Sequence, residues 1–410
     1  MKFENTTLDN GLQIIAEVND EAFSQSLGYF VKTGSRDEVP DMGGVSHFLE
    51  HMVFKGTDKR SAEDVNRELD ELGAQSNAYT CEDQTVYYMS ILPDQQTQAV
   101  DLLTDLMRPA LRTSDFETEK NVILEEIAMY DDAPPYGSME RCMESFYGDH
   151  PLSIRVLGTP QTVSDLDSES MREYHQDRYA PDNLCLVATG AVDFDALVKQ
   201  AEILTKSWKP SGFKRVSTMP KHGSAELQFQ HAPAVQQYTF ELSQGVSRND
   251  PRRHAYRLLA TVLGDDSGSR AFWALVDPGL AESAGMFAHE YDECGILGLF
   301  LTCTPEDTQA NWDALVSIVR EETGKKITER ELTVAKNKIC SSLVLSSERP
   351  GNRLFTVGNA MTMRGVYETV DQSIANYRRV TLDAVHDAWV DYVNQGGARV
   401  TIGPELDVLK

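Results

Sequence analysis

No stretch of about 18 uninterrupted apolar residues occurs in this chain, which excludes a membrane-spanning helix. Basic residues are scarce: 38 Lys and Arg stand against 64 Asp and Glu, for a net charge of −26. Nucleic-acid binding needs a basic footprint, so this balance argues against a nucleic-acid partner. An acidic interior would attract basic peptides, although most carboxylates of such a surface serve only to solvate it. Cysteine is sparse as well. Cys81, Cys142, Cys185, Cys294, Cys303 and Cys340 form no C-x-x-C pair and no tight cluster, and read as reduced, structural thiols of a reducing compartment. Neither a basic, apolar secretory signal nor an Arg-rich transit segment opens the chain, so a cytoplasmic location is expected.

What is present is ample apolar material, 41% of 410 residues. A chain of this length is expected to divide into two domains of about 200 residues each. The polar stretch 211–225, with its Pro, Gly and basic residues, is the expected linker between an N-terminal domain over 1–210 and a C-terminal one over 226–410. Strands such as Leu12–Val18, Gln25–Lys32, Thr85–Leu92 and Asn183–Thr189 alternate with amphipathic helices such as Ser61–Leu72. With a hairpin signal at Asp9-Asn10-Gly11, that mixture predicts an α+β fold, a mixed or antiparallel sheet with helices on it.

Histidine is also rare, yet two of the nine fall in one segment, His47-Phe48-Leu49-Glu50-His51. On a helix, positions i, i+3 and i+4 share a face, so both imidazoles and the Glu50 carboxylate project together. Two neutral imidazoles make half of a zinc site, and the carboxylate between them is placed to take a proton from a metal-activated water. The order H-x-x-E-H reverses the commoner H-E-x-x-H. A His pair on an amphipathic helix is more often surface or satisfied core. Here the flanks are apolar from Val45 to Phe54, up to a plausible C-cap at Lys55-Gly56. Burying two His and a Glu without partners is costly, and a metal ion supplies those partners in one step.

A hydrolytic zinc site needs a third protein ligand and an open fourth position. The acidic helix Glu119–Met129, preceded by the capping-box pattern Ser114-x-x-Glu117, is the expected donor. Periodicity sets Glu119, Val122, Glu126 and Met129 on one stripe beside Ile123 and Ile127, and Glu125 with Asn121 and Asp132 on the polar side. A carboxylate aimed into an apolar stripe needs a cation, so Glu126 is the expected ligand of a single Zn2+. Glu119, one heptad earlier, is expected to orient His51 or the site and so to assist catalysis. Its simpler role is a carboxylate favourable to the helix dipole.

The segment Gly44-x-x-His47-Phe48-Leu49-Glu50-His51-Met52-x-Phe54-Lys55-Gly56-Thr57 resembles the signature of the pitrilysin/insulinase family of inverted-motif zinc metallopeptidases, above all its processing-peptidase branch. Gly73-Ala74-Gln75-Ser76-Asn77-Ala78-Tyr79-Thr80, with Tyr87-Tyr88, is similar to that family's substrate-side strand. Glu119 to Ile127 resembles its third-ligand helix, where the metal falls on the second Glu of the Glu125-Glu126 pair. The resemblance is strong in the N-terminal half and a matter of layout in the C-terminal half. It implies two homologous domains in a half-clamshell and zinc-dependent endopeptidase activity with Glu50 as general base. Peptide would lie extended along Asn77, Ala78 and Tyr79, and the Asn77 amide would touch the substrate or the oxyanion. A strand-entry turn is the plainer role for Asn77.

The chain also reads as duplicated. Counting back from Gly56 and Gly264, His47, Glu50 and His51 fall opposite Ala255, Leu258 and Leu259. Glu331-x-x-Val334 matches Glu119-x-x-Val122, which puts Lys338 where Glu126 stands. The second copy keeps the apolar pattern and loses every ligand. One departure concerns the substrate grip. Many relatives carry an Arg and a Tyr around R-x-x-x-G-L-x-Y, and those positions here are Leu275 and Glu282. Arg270 or Tyr291 would have to serve instead, or a partner would supply the groups. The resemblance further implies half of a closed chamber, hence a homodimer or a heterodimer with a homologous subunit. Two other readings remain: a catalytic subunit silent without a ligand-less partner, and a non-enzymatic assembly subunit, against which the intact His47, Glu50, His51 and Glu126 count.

Overall fold

In the computed structural model, which describes residues 1–321, 327–406 and 408–409, the period-two segments assemble into two sheets. The first contains β1 (Lys2–Thr7), β2 (Gln13–Val18), β3 (Gln25–Val31), β4 (Gln75–Thr80), β5 (Thr85–Ile91) and β6 (Leu184–Gly190), in the order β1-β2-β6-β3-β5-β4. The second contains β7 (Glu226–Gln230), β8 (Gln237–Gln244), β9 (Ser283–Glu290), β10 (Gly295–Cys303) and β11 (Gly397–Gly403), in the order β7-β11-β8-β10-β9. Alternation and turn residues placed the four strands named from sequence to within a residue at each end. The helix expected at Ser61–Leu72 runs Ala62–Glu71, with the Ser61 hydroxyl accepting the Asp64 N–H as its cap.

The duplication is visible in the topology. The order β2-β6-β3-β5-β4 recurs as β7-β11-β8-β10-β9. In both of these five-strand runs the first pair is parallel and the other three are antiparallel, and β1 adds to the first run as a further antiparallel strand. Each copy is thus a mixed sheet with helices on it. In both, the outermost strand (β4 or β9) is paired on one side only among the described residues.

β3 and β6 are buried along their whole length, so both faces of the first sheet must be covered. Leu27, Tyr29 and Val31 face a core that contains Val45, Phe48 and Leu49, whereas Phe30 turns with Ile15, Val86 and Val187 to the opposite face. That opposite face is covered by the helix Pro350–Arg364, through Leu354 and Val357. Gly358 lets it approach, since a Cβ there would lie 2.3 Å from the Phe30 ring. The second sheet is covered by the helix Pro134–Tyr147, which packs Cys142 and Phe146 on Leu242, Ile296 and Val400.

Each of these helices comes from the other half of the sequence. The compact units are therefore Met1–Ile127, Ile154–Val216 and Val344–Glu368 for the first, and Ala128–Ser153, Ser217–Leu343 and Thr369–Lys410 for the second. One boundary, Val216 to Ser217, lies in the expected linker 211–225, but contiguous domains over 1–210 and 226–410 are not what forms. The reason is that an amphipathic helix advertises its apolar stripe and not which sheet will receive it. Among the described residues no helix is long and apolar enough to cross a membrane.

Candidate metal centre

The motif helix (Val45–Val53) forms because Val45, Phe48, Leu49, Met52 and Val53 make one fully buried stripe. Its N-cap residue is Gly44, which has no side chain of its own to cap the first turn. Gly44 has φ +95°, and a Cβ there would lie 2.7 Å from the Leu157 carbonyl oxygen, so glycine is required. The cap comes instead from Glu38, a buried carboxylate. Its Oε2 accepts the Gly44 N–H and its Oε1 the Ser46 N–H, each at 2.7 Å. Burial pushes this carboxyl up to about 8, against the pull of the Ser46 and Gly44 donors. Sequence reasoning missed Glu38. The available signal was an acid shortly before a helix that opens on glycine.

The long glutamate helix (Thr113–Asp131) is rotated relative to the expected stripe. It begins at Thr113, so Ser114 lies inside it and does not cap it. Phe116, Glu119, Ile123 and Ile127 are buried, while Val122 is 44% and Met129 60% exposed. Glu126 therefore stands at the flank of the apolar face, partly buried, and Glu125 is exposed. Two apolar side chains left in solvent misled the periodicity.

The fold nevertheless brings His47, His51 and Glu126 together, with one ligand atom from each within 4.8 Å of the others. Glu126 Oε2 lies 3.9 Å from His47 Nε2 and 3.6 Å from His51 Nε2. Both distances exceed a hydrogen bond. Burial drives the His47 imidazole down to about 3, so it stays neutral and keeps a lone pair to offer. Its Nδ1 is buried without a partner among the described residues. On His51 the second nitrogen is held: Nδ1 lies 3.0 Å from Glu119 Oε1, and Glu119 Oε2 lies 2.5 Å from Lys55 Nζ. An Nδ1–H donated to Glu119 leaves the Nε2 lone pair facing Glu126. Two imidazole nitrogens and one carboxylate oxygen, converging with no proton between them, fit a zinc ion.

Glu50 projects from the same helix, half-buried, and its Oε2 accepts the Thr80 hydroxyl at 2.5 Å. Burial raises the Glu50 carboxyl above the ordinary range, while the Thr80 hydrogen bond works the other way. In the second copy, Ala255, Leu258 and Leu259 are buried apolar residues of the helix Arg253–Gly264. Lys338 there forms an ion pair with Asp265.

The residues expected to grip substrate are distributed differently. β4 is the edge strand, and its alternation puts Ala78 with the core that faces the motif helix and Tyr79 with the opposite cluster. Tyr79 packs on Phe355, and its hydroxyl accepts Gln84 Nε2 at 2.8 Å. Asn77 shares the Tyr79 side, and its Oδ1 accepts the Ala78 N–H at 2.8 Å. Its amide is thus turned onto its own strand and away from the Glu50 face. Arg270 makes a two-point pair with Glu331, at 2.7 and 3.1 Å. Tyr291 is 2% exposed and leaves no ring surface for a peptide. Both belong to the second unit.

Comparison with known proteins bears on the family and the fold. Residues 13–160 match the family described as insulinase (peptidase family M16), and residues 165–339 match the peptidase M16 inactive domain. An uncharacterised zinc protease of Mycobacterium bovis is 30% identical over 410 residues, covering 97% of this chain and 92% of its own. The mitochondrial-processing peptidase β subunit of Lentinula edodes is 29% identical over 403 residues, covering 92% of this chain and 86% of its own. Among solved structures, a protease from Helicobacter pylori superposes with a TM-score of 0.92 at 19% identity, covering 98% of this chain and 99% of its own. That likeness is one of fold.

Proposed function

The chain belongs to the insulinase family of peptidases (family M16), and from that premise we propose that it is a zinc-dependent metalloendopeptidase. The observation that carries the reading is the convergence of His47, His51 and Glu126 beside the Glu50 carboxylate. One zinc ion per chain, held by those three residues, would supply Lewis acidity toward a water and the scissile carbonyl. Glu50 takes the proton of the attacking water and passes it to the leaving amine. Glu119 keeps His51 in the tautomer that offers Nε2, and Lys55 holds Glu119 in turn. The free edge of β4 receives the substrate as an added strand, through main-chain groups.

The substrates are peptides or unfolded, targeting-type segments taken into a chamber made by a dimer, acting in the cytoplasm. A net charge of −26 favours basic segments. A second reading has support of its own. Arg270 is committed to Glu331 and Tyr291 is buried, so neither candidate offers the Arg/Tyr grip of relatives. A catalytic subunit that gains these groups from a homologous, ligand-less partner accounts for that. A purely structural subunit does not account for the converging donors.

The test is hydrolysis of unfolded peptides by the purified chain, before and after chelation and with one equivalent of zinc restored. Loss and recovery of cleavage support the reading. Cleavage that survives complete zinc removal sinks it. Activity that needs an added homologue selects the partner-dependent form.

A further inference from the structure

We propose that Thr80 is the positioning residue of the general base: its hydroxyl pins Oε2 of Glu50 and leaves Oε1 for the attacking water. The proposal rests on the peptidase reading above. Thr80 is the last residue of β4, and its Oγ1 lies 2.5 Å from Glu50 Oε2, in the range of a hydroxyl donating to a carboxylate. The direction of that bond follows from its neighbours. Across the β4–β5 pair Thr80 faces Thr85, whose Oγ1 is 3.4 Å away. Thr85 is buried and donates its own hydroxyl proton to the Thr33 carbonyl oxygen at 3.1 Å. A carbonyl only accepts and a hydroxyl carries one proton, so the Thr85 proton is committed and the Thr80 proton goes to the shorter contact, Glu50.

Glu50 leaves the motif helix on a side chain with three rotatable bonds, and its carboxylate must hold one orientation when the proton moves. Thr80 supplies that constraint from a separate element. The element is also the edge strand on which the peptide is proposed to add. The strand that receives substrate therefore holds the base, so docking and proton transfer share one rigid part.

Thr80→Val keeps size and β-branching but removes the hydroxyl, and Thr80→Ser keeps the hydroxyl and drops the methyl group. Both are compared with Glu50→Gln for peptide hydrolysis, zinc affinity by competition with a chromophoric chelator, and the Glu50 side-chain position in crystals. Thr80→Val is expected to lower kcat roughly 10- to 100-fold with KM within about twofold, zinc affinity unchanged and the Glu50 carboxylate displaced. Thr80→Ser is expected to recover most of the rate. An unchanged kcat in Thr80→Val, no rescue by Ser, or a rate loss that tracks lost zinc each overturns the proposal. A wild type no faster than Glu50→Gln overturns the peptidase reading itself, which is a distinguishable failure.

Discussion

His51 is held at one ring nitrogen, Nδ1 by Glu119, while its Nε2 faces Glu126 at 3.6 Å. The spacing of His47, Glu50 and His51 was legible in the sequence, because helix geometry alone puts i, i+3 and i+4 on one face. The contacts of Thr80 with Glu50 and of Lys55 with Glu119 were not legible, because each is a fold-dependent contact that spacing does not encode. Replacing Glu119 by Gln should weaken zinc roughly 10- to 100-fold, as for other groups that orient metal ligands, measured by chelator competition. A separate residue sets an acid limit on stability. His175 is buried, with Nε2 3.1 Å from the Met107 carbonyl oxygen, and burial followed by the Arg108 charge drives its imidazole down to about 3. Below about pH 6.5 the unfolded chain gains a proton there that the folded one refuses, so stability falls as pH drops from about 6.5 toward 3. The loss at pH 4 should be on the order of 3 kcal/mol. Urea midpoints at pH 7 and pH 4 check this, and the gap between them should shrink in His175→Gln.

At the scale of elements, strand ends came through to within a residue, while the face of the glutamate helix did not. Val122 and Met129 are apolar yet exposed, so an argument from apolarity turned Glu126 too far inward. Glu126 still comes within 3.6 Å of His51, because a carboxylate at the flank of the stripe reaches the same place. The motif helix depends on its entry. Gly44→Ala meets a left-handed φ of +95° and a carbonyl 2.7 Å from the new Cβ, which should cost about 1–3 kcal/mol in urea denaturation. Because Gly44 and Ser46 also donate to Glu38, zinc affinity should fall with it. A Gly44→Ala variant as stable as wild type would remove the case for this strained entry.

At the scale of the molecule, the duplication and the loss of every ligand in the second copy could be read by aligning two halves of one chain. The exchange of helices could not, since local pattern is silent about which sheet a stripe will cover. The exchange has a consequence. A fragment of residues 1–216 lacks the helix Pro350–Arg364 and would leave Ile15, Phe30, Val86 and Val187 open to water. Such a fragment should bind a hydrophobic dye and lack a cooperative thermal transition, and sharp two-state unfolding would contradict the exchanged architecture. Across all three scales the proposed function comes down to one carboxylate, Glu50, set beside three candidate zinc ligands to move a proton. The most direct measurement is the initial rate of peptide hydrolysis by Glu50→Gln, at zinc content matched to wild type. A fall of roughly 10²- to 10⁴-fold with zinc retained is the predicted result. Equal rates for the two proteins would contradict it.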